Sequence, residues 1–242
     1  MIGSHAKEKK FIDSLCEKKG SGIALVYGRM GNEASDIVRS YGKQKNTLYY
    51  HAAEASNDAQ QALFGNVVTE KYALLHEPAT YEDAFGMIQM RETDELFLVV
   101  DEVQRLFKKD SDFFETLKVF LKKSTVPVKV IFVSSDVVWS SETLPKIMEN
   151  EGPLYEGALE VLELNFLDLV RLFPSRSTRE CIQMYAITGG VPEYLPCWNS
   201  KLSLAENVCR HVLSPRGFLY DEAEGYLKRH LRESSVYETI LA

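Results

Sequence analysis

Leu96-Phe97-Leu98-Val99-Val100 is a run of five apolar residues that stops abruptly at Asp101-Glu102. A strand with no polar face must be covered on both sides, which is the position of an inner strand in a parallel sheet. Two further segments have the same character. Gly22-Ile23-Ala24-Leu25-Val26-Tyr27 ends at Gly28, and Val128-Lys129-Val130-Ile131-Phe132-Val133 ends at Ser134-Ser135. Between them the apolar spacing changes from strand to helix. It predicts helices over 34–41, 59–69, 81–91 and 113–123, and a short strand over Thr47-Leu48-Tyr49-Tyr50. The expected buried stripes are Leu63 and Val67 in the second helix, and Ala84, Phe85 and Ile88 in the third. Glu160-Val161-Leu162-Glu163-Leu164 alternates and reads as an edge strand. Repeated strand–helix units give an α/β fold, a mostly parallel sheet with helices on both faces.

After Leu164 the pattern becomes helical, over 167–173, 178–188, 204–213 and 220–231. Gly189-Gly190-Val191-Pro192 and Ser214-Pro215-Arg216-Gly217 punctuate it as turns, with Pro192 opening the next helix. The expected organisation is an α/β core over 1–164 and a small helical domain over 165–242.

Composition excludes several classes. The chain is 45% apolar and 26% charged, enough for a substantial core, and its net charge of −7 makes it a poor general nucleic-acid binder. Cys16, Cys181, Cys197 and Cys209 form no C-x-x-C pair and the five His are scattered, so zinc ligation is not indicated. Free thiols, no bilayer-spanning apolar run and a polar N-terminus without a signal-type apolar region point to the cytoplasm. Lys7-Glu8-Lys9-Lys10, Lys18-Lys19, Lys108-Lys109 and Lys122-Lys123 read as solvated faces, and Trp139 and Trp198 as core or interface.

The turn after the first strand is where a phosphate loop sits. Such a loop, G-x-x-x-x-G-K-[ST], wraps backbone N–H groups round phosphate oxygens, with Lys neutralising charge and Ser/Thr holding Mg²⁺. Here the eight positions read Gly28-Arg29-Met30-Gly31-Asn32-Glu33-Ala34-Ser35. The first Gly and the final Ser fit; Glu33 stands at the second Gly and Ala34 at the Lys. Taken alone, this is equally a strand–loop–helix connection with no ligand. Asp101-Glu102 then follows in the order of a Walker B strand, whose Asp holds Mg²⁺ and whose Glu polarises water. Ser134 or Ser135 stands at the end of the next strand, the sensor position facing a γ-phosphate. A polar strand end explains them equally well.

With these segments the chain resembles the archaeal-type ATPases of the AAA+/STAND group, P-loop proteins of archaea and bacteria. The resemblance rests on Tyr27-Gly28-Arg29, Leu98 to Glu102, Ser134-Ser135, Gly152-Pro153-Leu154-Tyr155, Tyr185 to Leu195 with its Gly-Gly-Val-Pro, and Ser214 to Tyr220 followed by Leu231-Arg232-Glu233. It implies a three-layer nucleotide-binding core, a helical lid and a winged helix, which Tyr237 to Leu241 would open. It also implies ATP and Mg²⁺ as cofactors. Gly28, Arg29, Glu33, Ala34, Ser35 and Asp101 then stand at the nucleotide, Ser35 and Asp101 at the metal, and Glu102, Ser134 and Ser135 at the catalytic positions.

The departures fall on the phosphate chemistry. Lys and the second Gly are lost, and no Arg follows Tyr155 where an arginine finger would stand; the residues there are Glu156-Gly157-Ala158-Leu159-Glu160. A lost charged contact costs roughly 1.5–3 kcal/mol. A carboxylate about 4 Å from a phosphate charge costs on the order of 4 kcal/mol at an effective dielectric near 20. Together these weaken ATP roughly a thousand-fold or more. Two compensations are conceivable: Arg29 turned inward, or Glu33 folded back to place a negative charge at the helix start. The expectation is a pseudo-ATPase with a protein partner and a regulatory or scaffolding role. The alternatives are a working ATPase with a non-standard loop, and a DNA-linked regulator if a winged helix follows. Nucleic acid is not expected to bind this chain alone.

Overall fold

The computed structural model describes residues 5–107, 112–148, 154–222, 224, 225 and 228. Lys108-Lys109, Gly152-Pro153, the end of the helix expected to Leu231, Arg232-Glu233 and Tyr237 to Leu241 lie outside them. Contacts divide the chain into two units, one ending at Val161 and the other beginning at Leu162.

The first unit holds five strands: β1 (Gly22–Tyr27), β2 (Thr47–His51), β3 (Leu96–Asp101), β4 (Val128–Ser134) and β5 (Tyr155–Glu160). Their order is β2-β3-β4-β1-β5, and every pairing is parallel. The chain is α/β, with a P-loop-type sheet. Side chains alternate across it as the period of two requires. Ile23, Leu25, Leu98, Val100, Val130 and Phe132 enter the core beneath α3 (Asn57–Tyr72), α4 (Tyr81–Arg91) and α6 (Asp112–Lys123). Ala24, Val26, Phe97, Val99, Ile131 and Val133 face α1 (Ala6–Glu17) and α2 (Ala34–Gly42). Asp101 continues the second series and points to the α2 side.

Three local expectations change. In α3 the buried face is Gln60, Phe64, Gly65 and Val68, and Leu63 is 39% exposed. Phe64 turns inward because it meets Tyr50, Tyr81, Phe85 and Phe113 in one aromatic cluster. The edge strand is Tyr155–Glu160, five residues before the segment expected from alternation. That alternating segment is a connector: Val161 is buried in the α/β core, Leu164 in the helical core, and Leu162 is exposed. Lys129, read as an ordinary strand residue, is 1% exposed, with its ammonium donating to the carbonyls of Lys18 and Gly20.

The second unit holds α8 (Phe166–Leu172), α9 (Thr178–Thr188), a 3-10 helix (Pro192–Cys197) and α10 (Leu204–His211), packed round Leu169, Cys181, Met184, Leu195 and Trp198. The first unit also holds short α5 (Gln104–Phe107), a π-helical turn (Trp139–Thr143) and α7 (Leu144–Met148). The start of α9 is closed by a capping box, Ser177 with Glu180. The Ser177 backbone N–H, its hydroxyl and Arg176 together hold the Glu180 carboxyl down at about 2. A depressed carboxylate stabilises the fold above its unfolded value and loses that contribution as pH falls through the folded one. The α9 start should therefore hold from neutral pH to about 4.5 and loosen towards about 2. An NMR titration of Glu180 checks this, and Ser177→Ala should return the midpoint towards the ordinary carboxylate range.

Candidate functional site

The carboxyl ends of parallel strands are where open α/β sheets present their sites. The β1–α2 loop lies there. Gly28 donates its N–H to the Ser134 carbonyl at 3.2 Å. A Cβ on Gly28 would sit 2.5 Å from the Val161 carbonyl oxygen, so packing alone requires this glycine. Gly31 has φ +89° and Glu33 has φ +65°. Glu33 thus takes the left-handed conformation that the motif's second glycine supplies, at a cost of about 1–2 kcal/mol for a residue with a Cβ.

The Glu33 carboxylate does not cap α2; it lies 3.1 Å from His5 Nε2. The fold-back compensation is therefore not the arrangement found. Ala34 is 9% exposed and packs its methyl into the core, and Arg29 is half-buried. Asn32, which the motif reading passed over, is 2% exposed and donates to the Val161 carbonyl at 3.1 Å. It ties the loop to the chain leaving β5.

Asp101 is 2% exposed, and donors surround it. Oδ1 accepts from the Ser35 hydroxyl at 2.8 Å and the Glu102 N–H at 3.0 Å. Oδ2 lies 3.0 Å from His51 Nδ1 and accepts from the Tyr49 hydroxyl. Burial, and then this bond to Asp101, push the Tyr49 phenol up. Arg39 lies over the Tyr49 ring, 4.5 Å from its centroid. Glu102 is also left-handed, at φ +56°, and its Oε2 accepts from Ser135 Oγ at 3.0 Å, Gln104 at 2.9 Å and Arg105 at 3.1 Å.

Of the residues singled out by sequence, the structure joins Ser35 to Asp101 and Ser135 to Glu102. Ser134 meets Gly28 through its backbone, while its own hydroxyl accepts from the Asp136 N–H at 3.2 Å. Tyr49, His51, Gln104, Arg105, Asn32 and His5 were missed. Two carried a signal. Tyr49 and His51 share one face of β2, and β2 pairs with β3 so that His51 stands opposite Asp101.

The residues present do not fit a magnesium nucleotide. The loop carries a carboxylate and a methyl where the phosphates need a glycine and an ammonium. Both Asp101 oxygens already accept two hydrogen bonds each, so a metal would have to displace one of these donors. Among the described residues no group of three or more His, Cys, Asp or Glu is placed to hold an ion. No helix among them is long and apolar enough to cross a membrane.

Sheet order and the loop after β1 define the fold class: a parallel α/β fold of the P-loop type. Solved structures share it. The Walker-type ATPase PABY2304 of Pyrococcus abyssi matches with a TM-score of 0.61 at 15% identity, over 93% of this chain and 76% of that one. The Aeropyrum pernix ORC1 protein, solved in complex with DNA, matches at 0.55 and 13% identity, over 77% and 55%. The Aeropyrum pernix ORC2 protein matches at 0.51 and 14% identity, over 73% and 53%. An uncharacterized protein of Methanocaldococcus jannaschii is 21% identical along the whole chain, which spans 53% of that relative's length. No protein-family model matches.

Proposed function

We propose that this chain is a pseudo-ATPase of the AAA+/STAND type, a P-loop fold whose nucleotide site has become a fixed structural element. One observation carries the reading. Glu33 holds the glycine-type backbone of the loop yet turns its carboxylate to His5, and Ala34 leaves no ammonium for a phosphate. On this reading the left-handed turn at Glu33 is kept while the loop's anion chemistry is inverted. ATP hydrolysis is negligible on this reading, and the protein works in the cytoplasm through a protein partner as a regulator or scaffold.

Thermal unfolding tests it. A site with a ten-micromolar Kd would gain about 2.7 kcal/mol from a hundred-fold excess of ligand. For a chain of this size that is a rise of about 5–10 °C. Millimolar MgATP should instead move the midpoint by less than about 1 °C. A rise of several degrees, lost when Mg²⁺ is chelated, would restore the working-ATPase alternative.

A further inference from the structure

We infer that Tyr49 and His51 take the divalent cation's place on Asp101, so that the loop keeps its shape with neither metal nor nucleotide; the inference deepens the pseudo-ATPase reading and rests on it. A strand-end carboxylate beside a serine hydroxyl is the usual material of a magnesium site, and here that pair is kept, with Ser35 Oγ 2.8 Å from Asp101 Oδ1. What differs is the other oxygen. Tyr49 and His51 come from the edge strand β2, two residues apart on one face, and both reach Oδ2. A cation approaching Oδ2 would have to displace a half-buried phenol and an imidazole together.

The arrangement is supported from outside. Arg39 stacks on Tyr49, and His51 Nε2 lies 3.5 Å from Arg105 Nη1. Arg105 also donates to the Ala52 carbonyl at 2.8 Å and pairs with Glu102. The imidazole is thus held between Asp101 and Arg105. The result is a closed chain of contacts from α2 through β2 and β3 to α5. Ser35 on α2 is held by the same carboxylate as the two β2 side chains. The start of α2, and with it the loop, is therefore fixed by protein groups where a working site would use metal and phosphate.

Restoring the loop with Glu33→Gly and Ala34→Lys should give ATP binding that does not depend on the metal. Adding Tyr49→Phe and His51→Ala should free Oδ2 and bring metal dependence. The readout is the ATP Kd with Mn²⁺ against the Kd with chelator, with Mn²⁺ uptake followed by electron paramagnetic resonance. The expected ratio is near one in the loop-repaired protein and at least about ten-fold in the four-fold variant. In the native background, Tyr49→Phe and His51→Ala should each lower the unfolding midpoint by about 2–6 °C, and both effects should shrink in Asp101→Asn.

A loop-repaired protein that already binds ATP ten-fold tighter with Mn²⁺ overturns the inference. So does a pair of β2 substitutions whose effects are unchanged by Asp101→Asn. If loop repair yields no ATP binding at all, the pseudo-ATPase reading fails, and the coupling of Tyr49 and His51 to Asp101 still decides by itself whether they hold the carboxylate.

Discussion

Asp101→Ala should destabilise the chain by about 3–5 kcal/mol, and Asp101→Asn by about half as much. The carboxylate is 2% exposed and serves Ser35, Tyr49, His51 and the Glu102 N–H. Removing it strands all four at once. The full sum of four orphaned groups, each about 1–3 kcal/mol, would overstate the loss. His51 is exposed and Ser35 half-buried, so water can reach both. The Glu102 N–H is buried and Tyr49 half-buried, and these two carry most of the cost. Asn is milder because its oxygen can keep Ser35 and the Glu102 N–H. Its amide then faces Tyr49 and His51, where a hydroxyl rotation and a tautomer change restore some bonding. Urea unfolding of the three proteins measures the order. If Asp101→Ala costs under about 1 kcal/mol, Asp101 is not a keystone.

Gly190→Ala should cost about 3 kcal/mol or more, and Gly189→Ala about 1 kcal/mol. Both glycines are left-handed, at φ +61° for Gly189 and +76° for Gly190. Only one is crowded. A Cβ on Gly190 would lie 2.2 Å from the Leu164 carbonyl oxygen and 2.9 Å from the Tyr185 ring, whereas one on Gly189 meets nothing within 4 Å. Leu164 in turn donates its N–H to the Gly190 carbonyl at 3.0 Å, so neither backbone can retreat without breaking that bond. The Gly-Gly-Val-Pro stretch therefore has a plain packing cause. Equal losses at 189 and 190 in chemical denaturation would refute it.

The α/β architecture was legible because buried parallel strands write continuous apolar runs, as at Leu96 to Val100. Failures came where the local pattern and the tertiary neighbour disagree. Val161 to Leu164 alternates like a strand, yet its two buried residues belong to two different cores. Leu63 and Phe64 are both apolar, and only the aromatic cluster decides which faces inward. Lys129 looks polar and is buried, because carbonyls at the turn before β1 receive its ammonium.

The site divides in the same way. Gly28, Ser35, Asp101 and Glu102 are readable from spacing along a motif. His51 and Tyr49 lie fifty and fifty-two residues from Asp101 in the chain and reach it only through β2–β3 pairing. Periodicity places them on one face but does not name the partner across the sheet. The left-handed backbone at Glu33 is likewise invisible in composition, since a glutamate ordinarily argues against such a turn.

The most direct test of the account is a calorimetric titration of MgATP into the native chain and into the Glu33→Gly, Ala34→Lys double variant. The expected result is no saturable binding to the native protein and a gain of roughly ten-fold or more in the variant, since the restored ammonium adds a charged contact of about 1.5–3 kcal/mol. Micromolar binding by the native protein would contradict it.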